Sequence, residues 1–339
     1  MIFNKEVSLK AYNTFGIESV AAYFAVISSK QALKHALQNA PAPLLVLGGG
    51  SNILLTKDYY NNAVIAIASK GIEVIQATSN HVYLKVQAGE NWSDFVDYCV
   101  ATGYGGVENM ALIPGNVGTA PIQNIGAYGV ELKDVFESCT AIEIDTLKET
   151  IFTNEDCNFG YRHSIFKTSK YKDKYIITDV TFKLTKGTPI FYTSYGGIFK
   201  ELECQGNKEL SIGAIANAVK RIRTRKLPDP KLIGNSGSFF KNPIISKCNF
   251  EVLQQKFPDI VFYPQTDDHV KIPAAWLIDR LGLKGHTYRN AGVHLQQPLV
   301  LINKTGEATG QEILALARYI QEMVLENYQI HLEFEVNIL

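Results

Sequence analysis

The chain is short of every feature that would declare a partner by composition alone. Its 33 Lys and Arg offset 33 Asp and Glu, for a formal net charge of zero. That leaves no overall basic field for a nucleic acid. The five cysteines, Cys99, Cys139, Cys157, Cys204 and Cys248, are odd in number and never in C-x-x-C spacing. This argues against a disulfide framework or a zinc site and for a reducing, cytoplasmic setting. No apolar run approaches the roughly 18–20 residues needed to cross a bilayer. The opening MIFNKEVSLK lacks the apolar segment of a signal peptide. Neither a repeat nor a low-complexity tract is present.

What is present is apolar patterning. At 339 residues and 46% hydrophobic content, the chain can bury the cores of two or three domains. LLVLG (44–48), AVIAI (63–67) and VYLKVQAG (82–89) read as strands. Asn91 is placed to cap a helix reaching about Thr102, with Gly103 as its stop. Residues 103–129 are rich in Gly, Pro and Asn but too apolar for a linker, and are expected to form an ordered loop region. Strands resume near 138–145 and 175–185, and Ser211 caps a helix ending near Arg225. Helices follow near 246–256, 271–281 and 310–326, and strands near 299–302 and 331–337. Strands and helices do not alternate strictly, so the fold class is α+β. KLPDPKLIGNSG (226–237) breaks regular structure and marks the boundary with a smaller region.

Five stretches carry chemistry, each with a plainer alternative. In LVLGGGSN (45–52) a strand runs into Gly48, Gly49 and Gly50, freeing N–H groups for an anion, or simply making a turn. It is neither a G-x-G-x-x-G fingerprint nor a P-loop. In IPGNVGTAPIQNIGAYG (113–129) the glycines permit close backbone approach to a flat ligand, and Gln123 and Asn124 offer paired amides. Arg162 in GYRHSIFK (160–167) suits a carboxylate, or a stack on a neighbouring ring. RIRTRKLPDPK (221–231) is a solvated helix face or a phosphate site. In HLEFEVNIL (331–339) alternation puts Glu333 and Glu335 on one face of a strand, at a solvent-facing edge or as a buried acid. GNSGSFFKNP (234–243) adds a further question, whether Ser238 is a turn serine or a proton donor.

Taken in order, these stretches resemble the UDP-N-acetylenolpyruvoylglucosamine reductase family (MurB family, type I). NTFGI (13–17), LGGGSN (47–52), YRHSIFK (161–167), KLPDPK (226–231), GNSGSFFKNP (234–243), KIPAAWLID (271–279) and EFEV (333–336) all take part. The resemblance implies a vanillyl-alcohol-oxidase/PCMH-type FAD-binding module of two subdomains, at about 17–187. It divides the chain into residues 1–68, 69–226, a substrate-binding domain at 227–329, and a final strand at 330–339 carrying Glu335 back toward the flavin. FAD would be held non-covalently by Leu47, Gly48, Gly49, Gly50, Ser51, Asn52, Ile113, Pro114, Gly115, Gly118, Thr119, Ala120, Gln123, Asn124, Gly126, Ala127 and Tyr128. No His or Cys occurs in those loops to bond it covalently.

The implied activity takes hydride from NADPH through FAD to the enolpyruvyl group of a UDP-sugar, giving UDP-N-acetylmuramate for peptidoglycan. Arg162 and Glu335 would stabilise the enolate-like intermediate, and Ser238 would protonate it, with Lys241 or a nearby dipole steadying the alkoxide. Tyr161, Lys226 and Asn242 would bind substrate, and Tyr195 would lie on a mobile loop over the UDP. Gly237 is expected to be small so that bulk does not displace the Ser238 hydroxyl, and Phe239 and Phe240 to wall out water. Neither a metal nor a nucleic acid nor a membrane partner is expected, and the chain is expected to be a monomer. The chain departs from the family pattern with Arg225 where Ser is expected, Leu295 where Arg is common, Phe334 where Pro is frequent and Ala275 in place of Gly. Two rival readings are an oxidase on the same FAD fold and a non-enzymatic nucleotide-sugar binder, which would be colourless.

Overall fold

The computed structural model describes residues 3–187, 189–206 and 209–339. These fall into two compact units. The first gathers residues up to Val7, Ala21–Gly50 and Asn61–Arg225; the second gathers Ser8–Val20, Ser51–Tyr60 and Lys226–Leu339. Two N-terminal segments therefore belong with the C-terminal half, where sequence order alone had set them in residues 1–68.

In the first unit, β-branched and aromatic runs build two sheets. A four-stranded sheet has the order Asn4–Ser8, Val20–Ile27, Tyr59–Ile67, Leu44–Leu47. Its last two strands are parallel, with Leu44 opposite Ala63. The helix Lys30–Asn39, capped by Ser29, buries Leu33 and Ala36 in a core with Ile27 and Ile65. The second sheet runs Glu149–Thr153, Phe136–Glu143, Tyr175–Lys186, His81–Gln87, Ile72–Ala77, with Tyr104–Gly105 beside Tyr175–Lys186. Alternation shows in His81–Gln87, whose Val82, Leu84 and Val86 are fully buried. Asn91 caps the helix Trp92–Thr102 by accepting from Ser93 and Asp94 N–H, and Gly103 ends it at φ 75°. Trp92, Phe95 and Phe182 form the aromatic centre of this core. Ser211 Oγ accepts from Ala214 N–H at the start of the helix Ile212–Lys226.

The second unit has an antiparallel sheet in the order Gly234–Ser238, Val300–Asn303, Ala291–Val293, Thr287–Tyr288. The helix Gly310–Tyr328, started by a Thr309/Glu312 capping box, packs on it. The helices Lys247–Lys256 and Ala274–Arg280 and a small three-stranded sheet complete the unit. The expected strand at 331–337 is not formed. Only Asn337–Ile338 pairs as strand, parallel to Ile53–Leu54, and Phe334 makes one bridge to Phe240. The alternation does persist as burial, since Leu332 and Val336 are buried and Glu333 and Asn337 exposed. Among the described residues no helix is long and apolar enough to cross a membrane. All five cysteines are free thiols.

Segment 8–20 is joined to the second unit through the carbonyls of NTFGI. Asn235 N–H donates to Thr14 O at 3.0 Å, and Asn303 Nδ2 to Phe15 O at 3.0 Å. Gly234 lies so near that a Cβ would stand 2.1 Å from Phe15 O. Gly234→Ala is therefore expected to destabilise the protein by at least about 1–3 kcal/mol, read by urea or thermal unfolding. Gly213→Ala, whose new Cβ has nothing closer than Val100 Cγ1 at 3.9 Å, should lose no stability in the same measurement.

Candidate functional site

The glycines of LGGGSN and of the 113–129 loop serve each other. A Cβ on Gly48 would lie 2.4 Å from Thr119 Cγ2, and one on Gly49 would lie 3.0 Å from Gly115 Cα. A Cβ on Gly118 would lie 2.4 Å from Ala88 Cβ. Two loops thus meet backbone to backbone, and Val117 and Gly118 anchor one of them by donating N–H to Glu90 O and Ala88 O. The first unit ends this motif at Gly50, and Ser51 and Asn52 belong to the second.

Arg162 sits at the tip of a tight turn closed by paired bonds between Gly160 and His163, at 3.0 and 3.1 Å. Its φ is +52°, a conformation that non-glycine residues adopt at a cost. The turn is held against the glycine-rich loop at several points. Arg162 Nη2 donates to Gly126 O at 3.1 Å, Ser164 Oγ to Ile122 O at 2.7 Å, and Asn124 Nδ2 to Gly160 O at 3.1 Å. The guanidinium also lies over the Tyr161 ring at 5.5 Å. Asn124 is fully buried, and its amide further donates to Glu131 and accepts from Lys133 N–H. Gln123 Oε1 receives Lys167 Nζ at 3.5 Å. In this structure the two amides brace the Arg162 turn.

Sequence reasoning missed Arg223. Its Nε is buried and has no hydrogen-bond partner among the described residues. Desolvation pushes the guanidinium pKa down, the Tyr128 phenol opposes that, and the Arg162 charge adds to it. Burial likewise raises the Tyr128 phenol, with the Arg223 charge opposing. Arginine stays protonated throughout. Two guanidiniums within electrostatic reach suit an anionic ligand, and together with the interlocked glycine loops they fit a dinucleotide such as FAD. A signal was available: Arg223 continues the stripe of buried Ile215 and Val219 at i+4 spacing.

The second unit brings Ser238 and Glu335 together. Glu335 N–H donates to Phe239 O at 2.9 Å, and Lys241 N–H to Glu333 O at 2.9 Å. Asn52 Nδ2 donates to Glu335 O at 3.2 Å, while Asn337 N–H returns to Asn52 O at 3.0 Å. Phe239 and Phe240 are buried and packed edgewise or tilted on Phe334 at 5.5 and 5.7 Å. Ser238 is half-buried, and its hydroxyl has no partner among the described residues. Ser236 Oγ instead donates to Ile53 O at 3.1 Å.

Two expectations change. Gly237 has φ +68°, in an Asx turn where its N–H meets Asn235 Oδ1 at 2.9 Å, and a Cβ there would meet nothing within 4 Å. The glycine is needed for the backbone angle, not to keep bulk from the hydroxyl. Lys241 Nζ is paired with Glu333 at 2.7 Å, so its charge is already answered there. Asn242 Oδ1 accepts from Ala274 N–H at 2.9 Å at the head of a helix, and Lys226 is exposed at the end of Ile212–Lys226.

Comparison with known proteins identifies the family and the fold. A profile described as an FAD binding domain matches residues 21–153, and one described as the UDP-N-acetylenolpyruvoylglucosamine reductase C-terminal domain matches 229–339. The UDP-N-acetylenolpyruvoylglucosamine reductase of Flavobacterium johnsoniae is 51% identical over 340 residues, covering 100% of both chains. That of Pseudomonas putida is 44% identical, covering 99% of this chain and 98% of its own. The crystal structure of the Thermus caldophilus enzyme superposes with a TM-score of 0.70 at 25% identity, covering 99% of each chain. The fold is the α+β pairing of a PCMH-type FAD-binding module with a MurB C-terminal domain. The chain belongs to the UDP-N-acetylenolpyruvoylglucosamine reductase family.

Proposed function

We propose that this chain is an FAD-dependent oxidoreductase that uses NADPH to reduce the enolpyruvyl group of UDP-N-acetylglucosamine enolpyruvate to UDP-N-acetylmuramate, for peptidoglycan. Family membership supports the activity. The observation that carries the residue assignment is the backbone bond from Glu335 N–H to Phe239 O, which sets Glu335 beside the residue following Ser238. When bound, FAD supplies the hydride that NADPH delivers to it. Arg162 holds the substrate carboxylate with two parallel donors and steadies the charge that builds next to it. Glu335 shares that task. Ser238, whose hydroxyl has no competing partner among the described residues, gives the proton. Tyr161, Tyr195, Lys226 and Asn242 hold the sugar nucleotide.

Residues 47–52 and 113–128 hold FAD non-covalently. In this reading residues 1–68 and 69–226 are the two FAD-binding subdomains, except that Ser8–Val20 and Ser51–Tyr60 cluster with the substrate-binding domain 227–329, and 330–339 is the segment that returns Glu335 to the flavin. The protein works as a cytoplasmic monomer.

Three tests bear on this reading. Purified protein should be yellow; anaerobic NADPH should bleach it, and the enolpyruvyl sugar nucleotide should restore the colour. Persistence of the bleached spectrum after that addition would contradict the proposed reduction. Ser238→Ala should leave bleaching intact and slow the recovery by about 10²–10⁴. Arg162→Ala should slow the same recovery by about 10²–10³. Equal losses in both half-reactions would remove Ser238 from the proton-donor role.

A further inference from the structure

Asn109 is 1% exposed, in the 3-10 turn Glu108–Met110, and has no part in the chemistry above. Its Nδ2 donates to Tyr128 O at 2.9 Å and to Tyr192 O at 2.8 Å. An amide nitrogen has two hydrogens, so this pair fills its donor capacity. The two carbonyls belong to different segments. Tyr128 lies on the glycine-rich loop assigned to FAD. Tyr192 lies on the arm that leaves the strand Tyr175–Lys186 and carries Tyr195.

Further contacts lie along the same seam. Gly196, at φ +68°, is so close to the Tyr128 ring that a Cβ would stand 2.4 Å from Cδ1 and 2.6 Å from Cε1. Tyr195 Cβ lies 3.6 Å from where a Cβ on Gly129 would be. Beyond the arm, Ile198 and Leu202 of the helix Ile198–Cys204 are buried in the main core, and Glu201 pairs with Arg225. The arm therefore cannot slide along the loop without breaking one of the two bonds that this buried amide makes. Asn109 Oδ1 has no partner among the described residues, so the donor fork is what this side chain contributes.

We propose that Asn109 is a positioning residue for substrate capture, holding Tyr195 in register with Tyr128 so that cofactor loop and substrate arm order together. This rests on the reading that Tyr195 binds the sugar nucleotide. The coupling is reciprocal: FAD binding should order the arm, and a bound arm should tighten FAD.

The test uses FAD-loaded full-length protein and three variants. Asn109→Leu keeps the branched shape and the number of side-chain heavy atoms and removes both donors; Gly196→Ala, at an exposed position, forces the arm off the Tyr128 ring. Each should raise KM for the enolpyruvyl sugar nucleotide about tenfold while kcat stays within about threefold, Asn109→Leu through its two lost hydrogen bonds and Gly196→Ala through the displaced arm. Each should also lower hydrogen-exchange protection of peptide 190–197. A purely structural role would instead lower Tm and leave KM and arm protection as they were, and that result overturns the proposal. Tyr195→Ala separates the two readings. If it raises KM while the other two variants do not, the clamp fails and the Tyr195 assignment stands. If it leaves KM unchanged, the Tyr195 assignment fails and the capture proposal falls with it. Should Asn109→Leu not fold, Gly196→Ala carries the same comparison.

Discussion

The bond from Glu335 N–H to Phe239 O is the constraint that joins the Ser238 and Glu335 segments of the second unit. It is a single neutral hydrogen bond, worth about 0.5–1.5 kcal/mol by itself. Its neighbours make it rigid. Lys241 N–H reaches Glu333 O on one side, and the chain after Glu335 is bound to Asn52 through Asn337 on the other. Buried phenylalanines at 239 and 240 close on Phe334 from beneath. A hydroxyl and a carboxylate 97 positions apart in sequence (335 minus 238) thereby come from one bridged pair of backbone segments. The proposed proton donation needs geometry of this kind, because a weak acid such as serine acts only if it is in place before charge develops.

The first unit meets a similar demand by a different device. Arg162 is placed by strain, at φ +52°, and not by a strand. Left-handed backbone at a non-glycine residue costs of order 1–3 kcal/mol. Bonds from Asn124, Ser164 and Arg162 itself to carbonyls of the turn and the glycine-rich loop offset that cost. The loop and the turn are therefore one object. This accounts for a loop that is rich in glycine yet apolar: it must support the Arg162 turn through its carbonyls and side chains.

Much of this was legible in the sequence and some was not, for physical reasons. Local signals held. Asn91 and Gly103 bound their helix as predicted, because a cap needs only its own side chain and the next few amides. Period-2 burial in 81–87 was equally local. Long-range associations were not legible. Nothing in residues 8–20 or 51–60 announces that their carbonyls meet Asn235, Asn303 and Ser236. The strand expected at 331–337 failed for the same reason: alternation predicts which side chains are buried, and here it did, but pairing depends on a neighbour that the segment does not specify. Asn124 was read as a ligand group because an amide in a glycine-rich loop offers the same atoms to a cofactor and to a turn.

The residues that depart from the family pattern show how the site tolerates change. Arg225, where serine was expected, lies at the end of its helix with its guanidinium on Glu201, a carboxylate whose pKa this pairing lowers. The extra charge is thus answered on the helix that follows the Tyr195 arm. Phe334, in place of proline, adds the third ring to Phe239 and Phe240. Leu295 folds over Gly285, whose φ of +75° leaves that space open. Each change is met within its own neighbourhood, by charge, packing or a missing Cβ. The Ser238 and Glu335 segments are joined by backbone bonds, which side-chain substitution elsewhere does not reach, whereas the Arg162 turn depends on the side chains of Asn124 and Ser164. Segments bonded through their backbones can keep their geometry while the side chains around them drift.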